Sequence, residues 1–125
     1  MTTTATTPAA STPTPRTANA ILEWAWTART ATLEDRLTLV ALANSRHLSP
    51  STGITVIGMR ALREMAMLRP VDLDMVLTGL ERDGFITRVQ SDPTADALVG
   101  SLESTMPGEG PWHAWRLNQD KRTQA

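Results

Sequence analysis

"LRPVDLDMVLTGLERDGFI", residues 68–86, reads as one helix with a marked start and a marked stop. Pro70 suits the first helical position, where its missing N–H leaves no helical bond unmade. Asp72 falls at the third position, where the free backbone donors and the helix dipole favour a carboxylate. Leu73, Val76, Leu77 and Leu80 recur at helical spacing and define an inward face. Gly84 is placed to end the helix in a left-handed turn, and Phe85 and Ile86 begin an apolar run beyond it. The outward positions of the first turns carry Val71, Asp72, Asp74 and Met75.

The segment before it, "ITVIGMRALREMAM" at 54–67, starts as a β-like run and turns helical after Gly58. Met59, Leu62, Met65 and Ala66 form its apolar stripe, and methionine at that spacing predicts core filling. Further upstream, "TLEDRLTLVALANSRH" at 32–47 predicts a helix capped by Thr32, with Glu34 and Asp35 in its first turn. Its face is drawn through Leu33, Leu37, Val40 and Ala41, widened by Leu39 and Leu42. The stretch 48–53, with Ser, Pro and Gly, reads as a loop. "ILEWAW" at 21–26 fits a short strand or the first turns of a helix, with both Trp24 and Trp26 expected in the core.

Downstream, "FITRVQ" at 85–90 alternates as a strand. "PWHAWRLN" at 111–118 is its natural partner, with Trp112, Ala114 and Arg116 on one face and His113, Trp115 and Leu117 on the other. The connection is long for a hairpin, and Ala97, Leu98 and Leu102 predict a short helix within 94–106. Residues 1–20 are Thr, Ala and Pro with one charge, and read as a disordered tail. Residues 119–125 read as a flexible C-terminal tail, which leaves one domain at 21–118.

The chain has 125 residues, 41% hydrophobic and 20% charged, which suits one modest core. With no Cys there is no disulfide framework, no thiolate nucleophile and no Cys-based zinc site. No apolar run approaches the roughly 20 residues that span a bilayer, so a soluble cytoplasmic protein is expected. The net charge of −1 hides an asymmetry. Residues 1–68 hold six Arg against Glu23, Glu34, Asp35 and Glu64, whereas residues 69–111 hold Arg69, Arg82 and Arg88 against eight acids. Nothing reads as an enzyme. His47 and His113 lie far apart in sequence, no metal-ligand spacing or phosphate loop is present, and "GEG" at 108–110 is a turn. No cofactor or metal is expected.

The predicted order of helix, helix, short turn, helix, strand, long connection and strand is that of a winged helix-turn-helix domain. That fold is mainly α with a small antiparallel β-hairpin, an α+β class. Residues 62–86 resemble MarR-type regulators, with Leu62, Leu68, Pro70, Leu73, Leu80, Glu81, Gly84 and Ile86 on the family pattern. The wider stretch 21–118 is similar to helix-turn-helix proteins of actinobacteria and their phages and plasmids. The resemblance implies a transcriptional regulator that binds double-stranded DNA. The departures are specific. Arg63 stands where a small residue is usual, Met67 where the turn has Gly, and Arg69 where a capping Ser is usual. Either a wider turn or a register shifted by one is therefore expected. Val71, Asp72 and Asp74 occupy positions that normally face bases, and the wing at 90–111 carries Asp92, Asp96, Glu103 and Glu109 with no Lys or Arg.

DNA affinity comes mainly from phosphate neutralisation, and base reading needs donors and acceptors at the groove edge. The candidate DNA-binding residues are Arg60, Arg63, Arg69, Asp72, Asp74, Arg88 and Arg116. Arg60, Arg69 and Arg88 would form a phosphate clamp, and an Asp would accept from a cytosine amino group. The alternative is a winged helix serving as a protein–protein interaction module, with its acidic helix and wing facing a basic partner. A homodimer is a further arrangement the sequence permits.

Overall fold

The computed structural model describes residues 17–119, so the tail assignments at 1–16 and 120–125 lie outside the described residues. Five α-helices, α1 (Ala18–Thr27), α2 (Leu33–Ala43), α3 (Met59–Ala66), α4 (Pro70–Arg82) and α5 (Pro93–Thr105), accompany four strands. The strands are β1 (Leu48–Ser49), β2 (Ile54–Gly58), β3 (Ile86–Val89) and β4 (Trp112–Leu117). They form one antiparallel sheet in the order β1-β2-β4-β3. The class is α+β, and the sheet is larger than the expected hairpin.

The sheet separates two apolar clusters. On one face Ile57, Ile86, Trp115 and Leu117 join Phe85 and the buried sides of α1 to α4. On the other, Ile54, Val56, Trp112 and Ala114 meet Ala95 and Leu102 of α5. This is the period-2 alternation of a strand with both faces covered. The predicted faces of 111–118 hold, and so does a helix inside the long connection. Asp92, read as a wing acid, is the N-cap of α5 and accepts from the Ala95 N–H at 2.9 Å.

Four expectations change. First, α1 begins at Ala18, inside the stretch assigned to the tail, because Thr17 accepts from the Ala20 N–H at 3.0 Å and caps it. Second, "ILEWAW" is helical, so Trp24 and Trp26 point about 200° apart and only one can face the core. Trp24 is buried and Trp26 is 50% exposed. Third, α2 keeps its Thr32 cap, with the Asp35 N–H at 3.1 Å, but ends at Ala43. The Ser45 hydroxyl donates to the Val56 carbonyl at 3.2 Å and ties the chain to β2, so His47 lies beyond the helix, edge-on to Trp112. The buried row of α2 runs through Asp35, Thr38, Leu39 and Leu42, and Leu33 is exposed in the first turn. Fourth, only Leu62 and Ala66 of the α3 stripe are fully buried, and Met65 is exposed. Among the described residues no helix is long and apolar enough to cross a membrane.

Candidate functional site

α3 and α4 meet in a three-residue corner, Met67 to Arg69, whose geometry is fixed by backbone bonds. The Met67 N–H donates to the Glu64 carbonyl at 3.2 Å, and the Leu68 N–H to the Arg63 carbonyl at 3.0 Å. This pair of bonds is a Schellman ending, which needs a left-handed residue at its centre. Met67 supplies it, at φ 59 and ψ 45. The helix closes tightly at Met67, without the wider turn that this residue led one to expect. The conformation is one that residues with a Cβ resist, at about 1–2 kcal/mol. Nothing in the fold compensates through packing, since the Met67 side chain is 88% exposed.

α4 starts at Pro70 as anticipated, with Leu73, Leu77 and Leu80 buried. Arg69 is its N-cap residue but makes no capping bond with its side chain. Its guanidinium instead forks onto the Asp72 carboxylate, with Nε at 2.8 Å and Nη2 at 3.4 Å. The hydrogen bond to Asp72, and then its charge, raise the Arg69 pKa. The outward row of α4 is apolar. Val71 is 59% exposed and Met75, one turn on, is 69% exposed. Met67 at the corner is a third apolar side chain left in solvent.

The other flank of α4 faces a cleft of about 720 Å³ shared with α3, β3, β4 and the loop before β4. Arg60 and Arg63 of α3 and Arg88 of β3 line it, as do Asp74 and Glu81 of α4. Arg60 spends its charge on exposed Glu64 at 3.4 Å, a pairing weakened by solvent. Arg88 lies over the Trp115 ring, 5.2 Å from its centroid, and hydrogen-bonds His113 Nδ1. Because a guanidinium can only donate, Nδ1 is the acceptor and the imidazole proton sits on Nε2. Burial, and then the Arg88 charge, push the His113 pKa below its ordinary 6.5, with Glu103 opposing. Trp115 is only 4% exposed, and its indole Nε1–H has no hydrogen-bond acceptor among the described residues. A buried donor left this way costs about 1–3 kcal/mol.

The structure thus divides the seven candidate residues. Arg60, Arg63, Asp74 and Arg88 come together at the cleft. Arg69 and Asp72 pair with each other beside it. Arg116 is exposed on the opposite face of the sheet, since Trp115 and Leu117 alternate with it into the first core. Of the phosphate clamp of Arg60, Arg69 and Arg88, the cleft lining holds Arg60 and Arg88. Sequence reasoning missed His113, Trp115 and Glu81 as cleft residues. The pairing of Arg88 with Trp115 across β3 and β4 was a usable signal, because cross-strand partners share a face. Among the described residues no group of three or more His, Cys, Asp or Glu is placed to hold a metal ion.

No family model, curated protein or solved structure matches the chain.

Proposed function

We propose that the chain is a winged-helix domain that uses the exposed row of α4 to hold a protein partner. The order α2, β2, α3, α4, β3, β4, with β4 between β2 and β3, supports the winged-helix reading. The partner reading is carried by one observation. Met67 keeps a strained left-handed backbone while its side chain stands in solvent, as do those of Val71 and Met75 at four-residue intervals beyond it. Strain held in place without packing benefit points to use, and an exposed apolar row is suited to protein contact rather than to phosphates. Asp74 beside this row, and the acidic excess of residues 69–111, fit a partner segment that is amphipathic and basic.

DNA binding is the second reading. Convergence of Arg60, Arg63 and Arg88 on one cleft favours it, because phosphate contact needs grouped cations. Against it, Arg69 is paired with Asp72, and Asp74 and Glu81 stand in the same cleft.

The deciding experiment places a photo-crosslinking residue at position 75 in the native cell, with exposed Ser104 of α5 as control. Position 75 is expected to capture a protein that position 104 does not. The purified partner should then lose affinity for Met75→Asp by about tenfold or more. Duplex binding that enriches a sequence and falls steeply between about 50 and 200 mM salt would establish the DNA reading instead. A dimer in sedimentation that Met75→Asp dissolves would put a second copy in the partner's place.

A further inference from the structure

We infer that the cleft between α3, α4 and the β3–β4 strands binds a small zwitterion of the α-amino acid class. Its carboxylate would lie against Arg63 and Arg88, and its ammonium group against Asp74 and Glu81. This site does not use Met67, Val71 or Met75 and shares only Asp74 with the partner reading, so leucine binding and crosslinking at position 75 test the two separately.

Charges of both signs line this one cleft and leave each other alone. Arg63 and Arg88 pair with no carboxylate, and Asp74 and Glu81 with no cation, among the described residues. Long side chains of opposite charge facing one cavity attract, and at contact they would close into ion pairs. Held apart, they form a cleft with a basic wall on α3 and β3 and an acidic wall on α4. A ligand that carries both charges satisfies the two walls at once. A simple anion satisfies one and meets repulsion from the other, and so does each phosphate of a duplex.

The second observation is the buried indole. Trp115 lines the cleft, and its Nε1–H lacks an acceptor among the described residues. The nitrogen itself is buried, so the indole answers to a carboxylate held on Arg88 through the cation–ring stack and not by a bond of its own. Arg88 is already positioned by its stack on Trp115 and its bond to His113, which makes it a preorganised donor. Leu73, Leu77 and Met59 complete the lining with apolar surface, so an apolar amino-acid side chain is favoured. The volume of about 720 Å³ lies within the roughly 300–1,000 Å³ usual for small-molecule sites.

The test uses the full chain labelled with ¹⁵N and three probes: L-leucine, its methyl ester and 4-methylpentanoate. Leucine is expected to shift the Trp115 indole N–H resonance in a saturable manner, leaving the indoles of Trp24 and Trp26 in place. The ester lacks the carboxylate and 4-methylpentanoate lacks the ammonium group, and each should bind about tenfold or more weakly. Arg63→Gln and Glu81→Gln lie at the walls, away from the core, and each should weaken leucine to the same extent while the far-ultraviolet dichroism stays unchanged. Equal binding of leucine and 4-methylpentanoate would overturn the proposal in favour of a plain anion site. An unmoved Trp115 indole at saturating leucine would overturn it altogether.

Discussion

α3 and α4 end in the same way, and only one of them does so with glycine. At the end of α4 the Gly84 N–H reaches the Glu81 carbonyl at 3.1 Å and the Phe85 N–H reaches the Leu80 carbonyl at 3.0 Å. At the end of α3 the Met67 and Leu68 N–H groups make the equivalent bonds. Gly84 takes φ 87 without penalty, whereas Met67 takes φ 59 with a Cβ in the way. The residues after the two corners differ as well. Phe85 is buried and locks its corner to the core, while Leu68 is half-buried and is followed by exposed Arg69. One corner is built for folding. The other keeps its strain and leaves its side chain in solvent.

The same division runs through α4. Its inner row of Leu73, Leu77 and Leu80 is sealed in the first core, and its outer row of Val71 and Met75 touches solvent. The sharpest way to break this contrast is truncation on each side. Leu80→Ala should lower the unfolding free energy by about 2–5 kcal/mol, because it removes a fully buried side chain and leaves a cavity. Met75→Ala should leave stability within about 0.5 kcal/mol of the parent chain. Urea unfolding of the two variants reads both numbers. A comparable loss from Met75→Ala would mean that the outer row is packed after all.

The two corners should respond in opposite directions to reciprocal changes. Gly84→Ala is expected to destabilise by about 1–2 kcal/mol, since the left-handed backbone now carries a Cβ. Met67→Gly is expected to stabilise by up to about 1 kcal/mol, less than the full strain because glycine also loosens the unfolded chain. The same Met67→Gly change should weaken partner capture. A variant that is both more stable and less able to bind would place this corner among sites where stability and use are opposed. Loss of stability on Met67→Gly would remove the strain argument for a docking face.

Much of this was legible in the chain. Helical period gave α2, α3 and α4, the turn chemistry gave Thr32 and Gly84, and alternation gave β3, and β4 with its correct faces. Met67 was legible as a misfit, because the turn position demands a conformation that its side chain resists. Strand β2 carried no such signal. "ITVIG" is buried on both faces, so its residues do not alternate and the run could not announce which strands flank it. β1, with two residues, has no period at all. The end of α2 depended on the Ser45 bond to Val56, a contact eleven residues away in sequence. The cleft was less legible still. Arg63, Glu81 and Trp115 belong to three elements, and only the packing of α3 and α4 against β4 brings them to one cavity.

The smallest expected effect concerns the cleft flank of α4 and is a dependence on pH. The folded chain holds the His113 pKa below 6.5 through burial and then the Arg88 charge, against the opposing pull of Glu103. The unfolded chain therefore takes up a proton first as the pH falls. The stability contributed by neutral His113 is complete above about pH 6.5, declines as the pH drops toward the lower folded value, and is fully lost below it. Structurally, a proton on Nδ1 removes the acceptor that Arg88 uses and sets two cations side by side. His113→Gln keeps a polar side chain without a titrating ring. Urea midpoints measured at about pH 7.5 and about pH 5 should fall further for the parent chain than for this variant. The outer row of Val71 and Met75 holds no titrating group, so Met75→Ala should shift with pH as the parent does. Parallel shifts in all three chains would mean that Arg88 and His113 are not coupled, and the basic wall of the cleft would lose its preorganised donor.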